Sequence, residues 1–503
     1  MPVAGRYPYP LTNDELRQTL AAQSLPNDST QTPQPNASGT ITPGAAPNFP
    51  TTPTQGDETI HFPTGREYDN PGEVYEYYAR SGDTLEAVSR RFNVDPEQIS
   101  SALAIQKQAF ISPGQLLFIP NTLDETLPTG LLLPDSEVIN SPSAIDFQIR
   151  AFIEQSAGFL STYEEAVNGE FVSGAEIVER VAREASVNPR FLLAFLEYRS
   201  GWVTGQPADS TQIDYPIGFR VPGYTGLYLE LVFTATHLNA GYYGWRSGEI
   251  NTIKFPDQSI ARINPTPNAG TVATQHLFAK FYHADRWNEA LYGAENFITL
   301  YTAMFGDAWG RAASVEPIFP DGLTQPILEL PFLPGERWSL TGGPHYSWNT
   351  GSPRGALDFS PVTGEPMCAV SRTWVTASAP GLVVRSDHNV VVIDLDADGH
   401  EQTGWTVVYV HVADLERIQP GQRVETDDPL GHPSCERGRS TGSHVHIARK
   451  YNGEWLFADG PLPFTLGGWE AIAGTKNYQG ELVKGGLTVS ANPGGNRTSI
   501  IIR

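Results

Sequence analysis

The stretch Ser440-Thr441-Gly442-Ser443-His444-Val445-His446-Ile447-Ala448-Arg449-Lys450 places two imidazoles two positions apart. On an extended strand, residues two apart point to the same face, so both rings reach one site. Upstream, the β-branched run Trp405 to Val412 delivers His411 near its end. Val375 to Val384 and Val390 to Asp394 are short runs of the same kind, bounded by Gly, Asp and Pro, and Gln419-Pro420-Gly421-Gln422 is a turn feeding another. From about Asp321 onward the pattern predicts a β-rich domain with several antiparallel strands. Farther back stand His345, in Gly343-Pro344-His345, and Asp358, in Leu357-Asp358-Phe359. A catalytic zinc needs three protein ligands and one open position, and imidazole and carboxylate oxygen are suitable donors. His345, Asp358 and one ring of the His444/His446 pair could supply them, with His411 in reach of the same site.

The chain has 503 residues, enough for about three domains. Its formal net charge of −23 disfavours a nucleic-acid partner, because a phosphate backbone wants Lys and Arg. No apolar run approaches the ~20 residues of a membrane span. Met1 to Pro10 lacks a basic segment followed by an apolar one, so no signal peptide is visible in the sequence. Residues 1–71 centre on a Thr/Pro/Gln/Asn/Ser-rich run, Ser29 to Gln55, and are expected to be a disordered spacer, with a short helix around Asp14 to Ala22.

Residues 72–121 read as a compact β-α-α-β module. Tyr77 to Arg80 is a strand and Ser81-Gly82-Asp83 a turn. Asp83 or Thr84 caps a helix with Leu85, Val88 and Phe92 on one face. Val94-Asp95-Pro96 starts a second helix, Ser112 to Gln115 turns, and Leu116 to Ile119 closes the module. The segments Ser81-Gly82-Asp83-Thr84-Leu85, Phe92-Asn93-Val94 and Pro113 to Pro120 resemble the LysM module. The resemblance implies binding to N-acetylglucosamine-containing glycans such as peptidoglycan, with Gly82, Asp83, Thr84, Pro113 and Gly114 at the groove.

After a linker, 122–136, residues 137–318 read as a helical domain. Ile177, Val178, Val181 and Ala185 share one face of a helix over Ala175 to Ala185. Asn188 caps the next, with Pro189 at its first position, and Ala294 to Trp309 looks helical with Phe297, Leu300, Tyr301 and Phe305 as a stripe. Val187 to Trp202 resembles the start of the lysozyme-like fold of lytic transglycosylases, whose Glu-Ser-Gly triplet carries the general acid. Here the triplet is Arg199-Ser200-Gly201, and Arg199 cannot donate a proton at neutral pH. Glu197 sits about 200° round the helix. A non-catalytic domain is expected.

Residues 319–480 are expected to form the peptidase domain. Gly343-Pro344-His345, Leu357-Asp358-Phe359, Tyr409-Val410-His411 and Ser440 to His446 resemble the lysostaphin/LytM-type zinc endopeptidases, which cleave peptidoglycan peptides. Most members place the first ligand four residues before the Asp, which here is Arg354. His345 lies thirteen residues before Asp358, a spacing similar to the staphylolysin branch. The resemblance implies that His345, Asp358 and His446 bind Zn2+, and that His411 and His444 flank the attacking water and the developing oxyanion. It implies an extracytoplasmic enzyme; a degenerate domain acting as a non-enzymatic wall-binding regulator is the alternative.

Cys368 and Cys435 could form a disulfide stapling the active-site loop. Asp394-Leu395-Asp396-Ala397-Asp398-Gly399 has the first half of a calcium-loop pattern. The twelfth position is Trp405 rather than Glu, so the EF-hand reading fails and a hairpin turn at Ala397-Asp398-Gly399 is expected. His388, His400 and His432 are expected at the surface, and residues 481–503 form a tail with a last strand or hairpin.

Overall fold

Val74–Tyr78 (β1) alternates exposed and buried side chains and pairs antiparallel with Leu116–Pro120 (β2) in a computed structural model that describes residues 74–437 and 440–503. The expectations for residues 1–71 lie outside the described residues. Between the strands, Leu85–Phe92 (α1) begins where Thr84 accepts the Ala87 N–H and ends at Asn93 in the left-handed region, φ 54°. Tyr75 and Tyr77 each set a ring edge-on to Phe92, at 5.3 Å. The expected second helix is only a 3-10 turn, Pro96–Gln98. Pro96 starts it, but Ser100 exchanges both backbone hydrogen bonds with Phe118 and draws the chain into the sheet.

In the helical region, Gly174–Ala185 (α2) starts in a capping box made by Ser173 and Glu176, and Pro189–Ser200 (α3) starts at Asn188, which accepts the Arg190 N–H. Phe191 to Leu196 are all buried, so α3 runs through the middle of the core. Leu227–Arg246 (α4) and Ala269–Phe278 (α5) pack on it and on each other. The expected helix over Ala294 to Trp309 is two pieces. Phe297–Phe305 (α6) stops at Gly306, φ 74°, a conformation glycine adopts without steric cost, and Ala308–Ala312 follows.

The C-terminal region is built on a nine-stranded sheet whose ladders are all antiparallel. Its principal strands are Arg337–Tyr346 (β3), Arg354–Pro361 (β4), Gly381–Asp387 (β5), Val390–Asp394 (β6), Trp405–Val410 (β7), Arg423–Val424 (β8), Val445–Tyr451 (β9) and Ile500–Ile502 (β10). Their order is β8-β5-β6-β7-β9-β4-β3-β10, with Glu454–Trp455 added beside β9. The β-domain therefore runs to the end of the chain. Glu481 lies inside a strand, Gly480–Lys484, of a second, four-stranded sheet, and β10 forms the edge of the main one. The multidomain α+β class expected from the sequence stands, with a LysM-like module, a helical middle and a β-rich C-terminal part.

Both faces of the main sheet are covered. Leu357, Phe359, Val391, Val407, Tyr409 and Ile447 join the core of the β-domain. Their alternates Ala356, Val390, Val392, Val408, Val410 and Ala448 join the core of the helical domain. Asp358 and His446 keep step with Ala356 and Ala448, so they occupy the face turned toward the helices. Polar ties hold the two domains together. Tyr242 donates to Glu454 at 2.8 Å, Arg246 pairs with Asp135 and Glu454, and Arg437 pairs with Glu184. Helix α4 also presses on the loop after β3: a Cβ at Gly351 would stand 2.0 Å from the Thr236 carbonyl oxygen, so only glycine fits there.

Candidate metal centre

Three adjacent strands bring the site together. On β9, His446 is paired with Val410 of β7 on one side and Asp358 of β4 on the other. On β3, register shifts put Gly342 opposite Asp358 and His345 opposite Ala356. A Cβ at Gly342 would meet the Asp358 carboxylate at 2.5 Å, so glycine there makes room for that side chain. The bulge lets a residue thirteen positions before Asp358 stand beside it.

His345, Asp358 and His446 form a group whose ligand atoms lie within 4.8 Å of one another, all buried. His345 Nε2 and His446 Nδ1 are 3.0 Å apart, and Asp358 Oδ1 is 3.2 Å from each. The far nitrogen of each ring faces a carbonyl oxygen: His345 Nδ1–H donates to Gly343 and His446 Nε2–H to Ser347. A carbonyl can only accept, so the proton sits there and the lone pair of each ring points inward. Asp358 Oδ1 is buried with no hydrogen-bond donor. Two imidazole lone pairs and an orphaned carboxylate oxygen, aimed at one point, are the donor set of a zinc or similar divalent site, and the residues present fit that ion.

Burial pulls both ring pKa values down. At His345 the Asp358 carboxylate outweighs it and the net shift is upward; at His446 burial wins and the shift is downward. Burial alone would raise Asp358, but His345 and His444 beside it hold its carboxyl well below the usual range.

His411 and His444 stand next to this group with ring centroids 4.4 Å apart. His411 follows β7 directly in the left-handed region, φ 66°, and its carbonyl accepts from the N–H and the hydroxyl of Ser434. Its Nδ1–H donates to the Glu436 carbonyl, which leaves Nε2 as an acceptor. Burial, then the neighbouring His444, push its pKa down to about 3, so the ring is neutral at neutral pH. His444 Nδ1 faces the Gly442 carbonyl at 2.8 Å, and its Nε2 stands 3.8 Å from Asp358 Oδ1. The disulfide between Cys368 and Cys435 forms, next to the residue whose carbonyl orients His411.

The remaining candidates fall elsewhere. Arg354 donates to the Gly474 carbonyl and takes no part in the cluster. His388 and His400 are exposed as expected, but His432 is buried, its ring tilted against Trp374 at 4.0 Å and bonded to the Thr373 carbonyl and Glu416. No hairpin turn closes at Ala397-Asp398-Gly399; residues 395–404 form a longer loop between β6 and β7. In the middle domain, Arg199 donates to the Ile217 carbonyl and to Tyr282, while Glu197 accepts the N–H groups of Val203 and Thr204. Both side chains are occupied in holding turns.

Of the LysM-like residues, Asp83 is buried, accepting from Tyr77, from the Arg80 N–H and from Arg91. Gly82 faces Arg246 of the helical domain, Phe110 stacks on Phe319 at 5.2 Å, and Ser81 exchanges hydrogen bonds with the Phe319 backbone. The loop carrying Gly82 to Thr84 is thus packed on another domain, while Gly114 is exposed. One site residue had no signal in the sequence: Tyr478, whose ring stacks on His345 at 4.2 Å. Its backbone bridges Gly343, a pairing between segments far apart in the chain.

Comparison with known proteins agrees with this layout. Residues 77–120 match the LysM domain, residues 131–317 the LasA N-terminal domain, and residues 353–457 peptidase family M23. For the helical region the match is thus to the LasA N-terminal domain, where the sequence resembled a lysozyme-like fold. Protease LasA of Pseudomonas aeruginosa is 25% identical over 330 residues, covering 61% of this chain and 72% of its own. Beta-lytic metalloendopeptidase of Achromobacter lyticus is 29% identical over 177 residues, 34% of this chain and 42% of its own. The solved structure of the M23 metalloprotease pseudoalterin is 23% identical and covers 34% of this chain and 96% of its own, with a TM-score of 0.28. The chain carries an M23-family metallopeptidase domain behind a LysM domain.

Proposed function

We propose that this M23-type metallopeptidase is a zinc-dependent endopeptidase that hydrolyses peptide bonds in bacterial peptidoglycan, outside the cytoplasm, with its LysM domain as wall anchor. The observation that carries the reading is the convergence of His345 Nε2, His446 Nδ1 and Asp358 Oδ1, beside two further imidazoles that present Nε2 to the same space. His345, Asp358 and His446 would hold zinc, which when bound supplies Lewis acidity toward the scissile carbonyl and toward water.

The chain's own residues do the proton work. His411, neutral and fixed through Nδ1 by the Glu436 carbonyl, offers Nε2 as a proton acceptor. His444, on the other side, is fixed through Nδ1 by the Gly442 carbonyl and can place an Nε2–H on the tetrahedral oxyanion or deliver it to the leaving amine. The roles of the two rings can also be exchanged, since both present Nε2. No Glu of a His-Glu-x-x-His helix exists in the chain, so these rings are the available bases. Glycan contact would come from the segments Gly82 to Thr84 and Pro113-Gly114. No described helix is long and apolar enough to cross a membrane, which is compatible with a wall-associated enzyme.

The alternative of a non-enzymatic regulator rested on Arg354 standing where a ligand is expected. The distances from His345 to Asp358 and His446 favour the enzyme. Clearing of a peptidoglycan suspension by the purified chain, with release of new peptide amino groups, tests the reading. The His444→Ala variant should lose that activity; unchanged clearing by the variant would remove His444 from the mechanism.

A further inference from the structure

The loop between β6 and β7 holds a second acidic cluster remote in role from the peptidase site. Carboxylate oxygens of Asp394, Asp396 and Asp398 lie within 4.8 Å of one another. Asp396 and Asp398 are exposed, but Asp394 is fully buried at the end of β6. Its Oδ2 accepts the Gly399 N–H at 2.9 Å, whereas its Oδ1 is buried with no donor among the described residues. Burial, then Asp396 beside it and the like charge of Asp396 and Asp398, push the Asp394 pKa up to about 6.

Among the described residues, no Lys or Arg forms an ion pair with this cluster. The nearby Arg385 and Lys450 are spent on Glu401. The remaining contacts fix the loop while leaving carboxylate oxygens directed at each other. The Asp398 N–H reaches Asp396 Oδ1, the His400 N–H reaches Asp398 Oδ1, and the Thr403 hydroxyl donates to Asp398 Oδ2. Gly404, φ 53°, makes room for Asp396: a Cβ there would stand 2.2 Å from its Oδ2.

We propose that Asp394, Asp396 and Asp398 bind a single Ca2+ that locks the β6–β7 loop. The donors are all hard oxygens, which suit calcium, whereas magnesium demands a near-ideal octahedron at shorter distances. The buried, donorless Asp394 Oδ1 is the atom the ion satisfies. The loop lacks the bidentate Glu of an EF-hand, so binding belongs with the weak, extracellular class, with a dissociation constant on the order of 0.1–1 mM. The ion's effect is structural: β7 runs directly from this loop to His411.

Terbium(III) luminescence on the full chain tests this, because Trp405 begins β7 beside the loop and its carbonyl accepts the Leu395 N–H. Excitation of tryptophan should give saturable terbium emission that Ca2+ displaces and Mg2+ does not. Asp396→Asn/Asp398→Asn changes two exposed side chains, leaves the buried Asp394 in place, and should abolish that emission. Millimolar Ca2+ should raise the Tm of the wild type by about 2 °C and leave that of the double variant unmoved. Emission that persists in the double variant, or a Ca2+ shift in Tm equal in both proteins, overturns the proposal. A His446→Ala chain must keep the signal; its loss there would assign the emission to the peptidase site and also overturn it.

Discussion

His345 Nε2 and His446 Nδ1 face each other across 3.0 Å although 101 residues separate them in the chain. Each ring's other nitrogen is committed to a carbonyl, so the two facing atoms are both lone pairs, with a carboxylate oxygen 3.2 Å from each. Lone pairs in that arrangement repel unless a cation lies between them. The β3 bulge and the carbonyls of Gly343 and Ser347 hold the rings in place.

The two flanking histidines are expected to act in chemistry and not in metal retention. His411→Ala and His444→Ala should each lower kcat on peptidoglycan by about 100- to 10,000-fold while zinc content stays near that of the wild type. Assay of both quantities on the same preparations checks this. Loss of zinc in either variant would make that ring a ligand.

The Cys368–Cys435 bond closes a segment with a sequence separation of 67 residues. Replacing both cysteines with serine should lower unfolding stability by about 4 kcal/mol on chain-entropy grounds, measured by denaturant titration. Activity should fall further than stability alone explains, because the Glu436 carbonyl that orients His411 follows Cys435 directly.

A pH effect is expected from Glu401. Burial alone would raise its pKa, but Arg385 and Lys450 outweigh it and hold the carboxyl near 2, against an ordinary 4.5. Lys450 is itself pushed down by burial, so Arg385 is the principal counter-charge. A depressed carboxylate pKa contributes stability that is complete above about 4.5 and is lost as pH falls from there toward 2. The loss should be about 3 kcal/mol across that window in the wild type, read from denaturation midpoints at several pH values. Glu401→Gln should be less stable at pH 7 and should lack that component of the acid slope.

Wall binding through Gly82 to Thr84 requires the LysM-like module to part from the helical domain at this face. Phe319→Ala removes the ring stacked on Phe110, so it should increase co-sedimentation of the full chain with insoluble peptidoglycan by several-fold. Unchanged or weaker co-sedimentation would place the glycan surface elsewhere on the module.

Local signals in the sequence carried far. The alternation around His444 and His446, the β-branched runs of β6 and β7 and the Asn188 cap all foretold elements observed. Continuous burial along Val390–Asp394, and along Trp405–Val410 after its first residue, was also legible in principle, since a strand apolar on both sides has both faces covered. What was not legible depended on distant partners. The second LysM-like helix gave way to the Ser100–Phe118 bridge. His432 was drawn inside by Trp374 and Glu416, and Tyr478 reached His345 through a bridge to Gly343. None of these is a property of neighbouring residues, so no local pattern could show it.

The central claim is that His345, and not the residue at position 354, completes a zinc site with Asp358 and His446. Metal analysis of the wild type, His345→Ala and Arg354→Ala tests it most directly. About one zinc per chain is expected in the wild type and in Arg354→Ala, and in His345→Ala an affinity weakened by at least about 100-fold, so that the isolated protein is nearly metal-free. A His345→Ala protein that retains one tightly held zinc would contradict it.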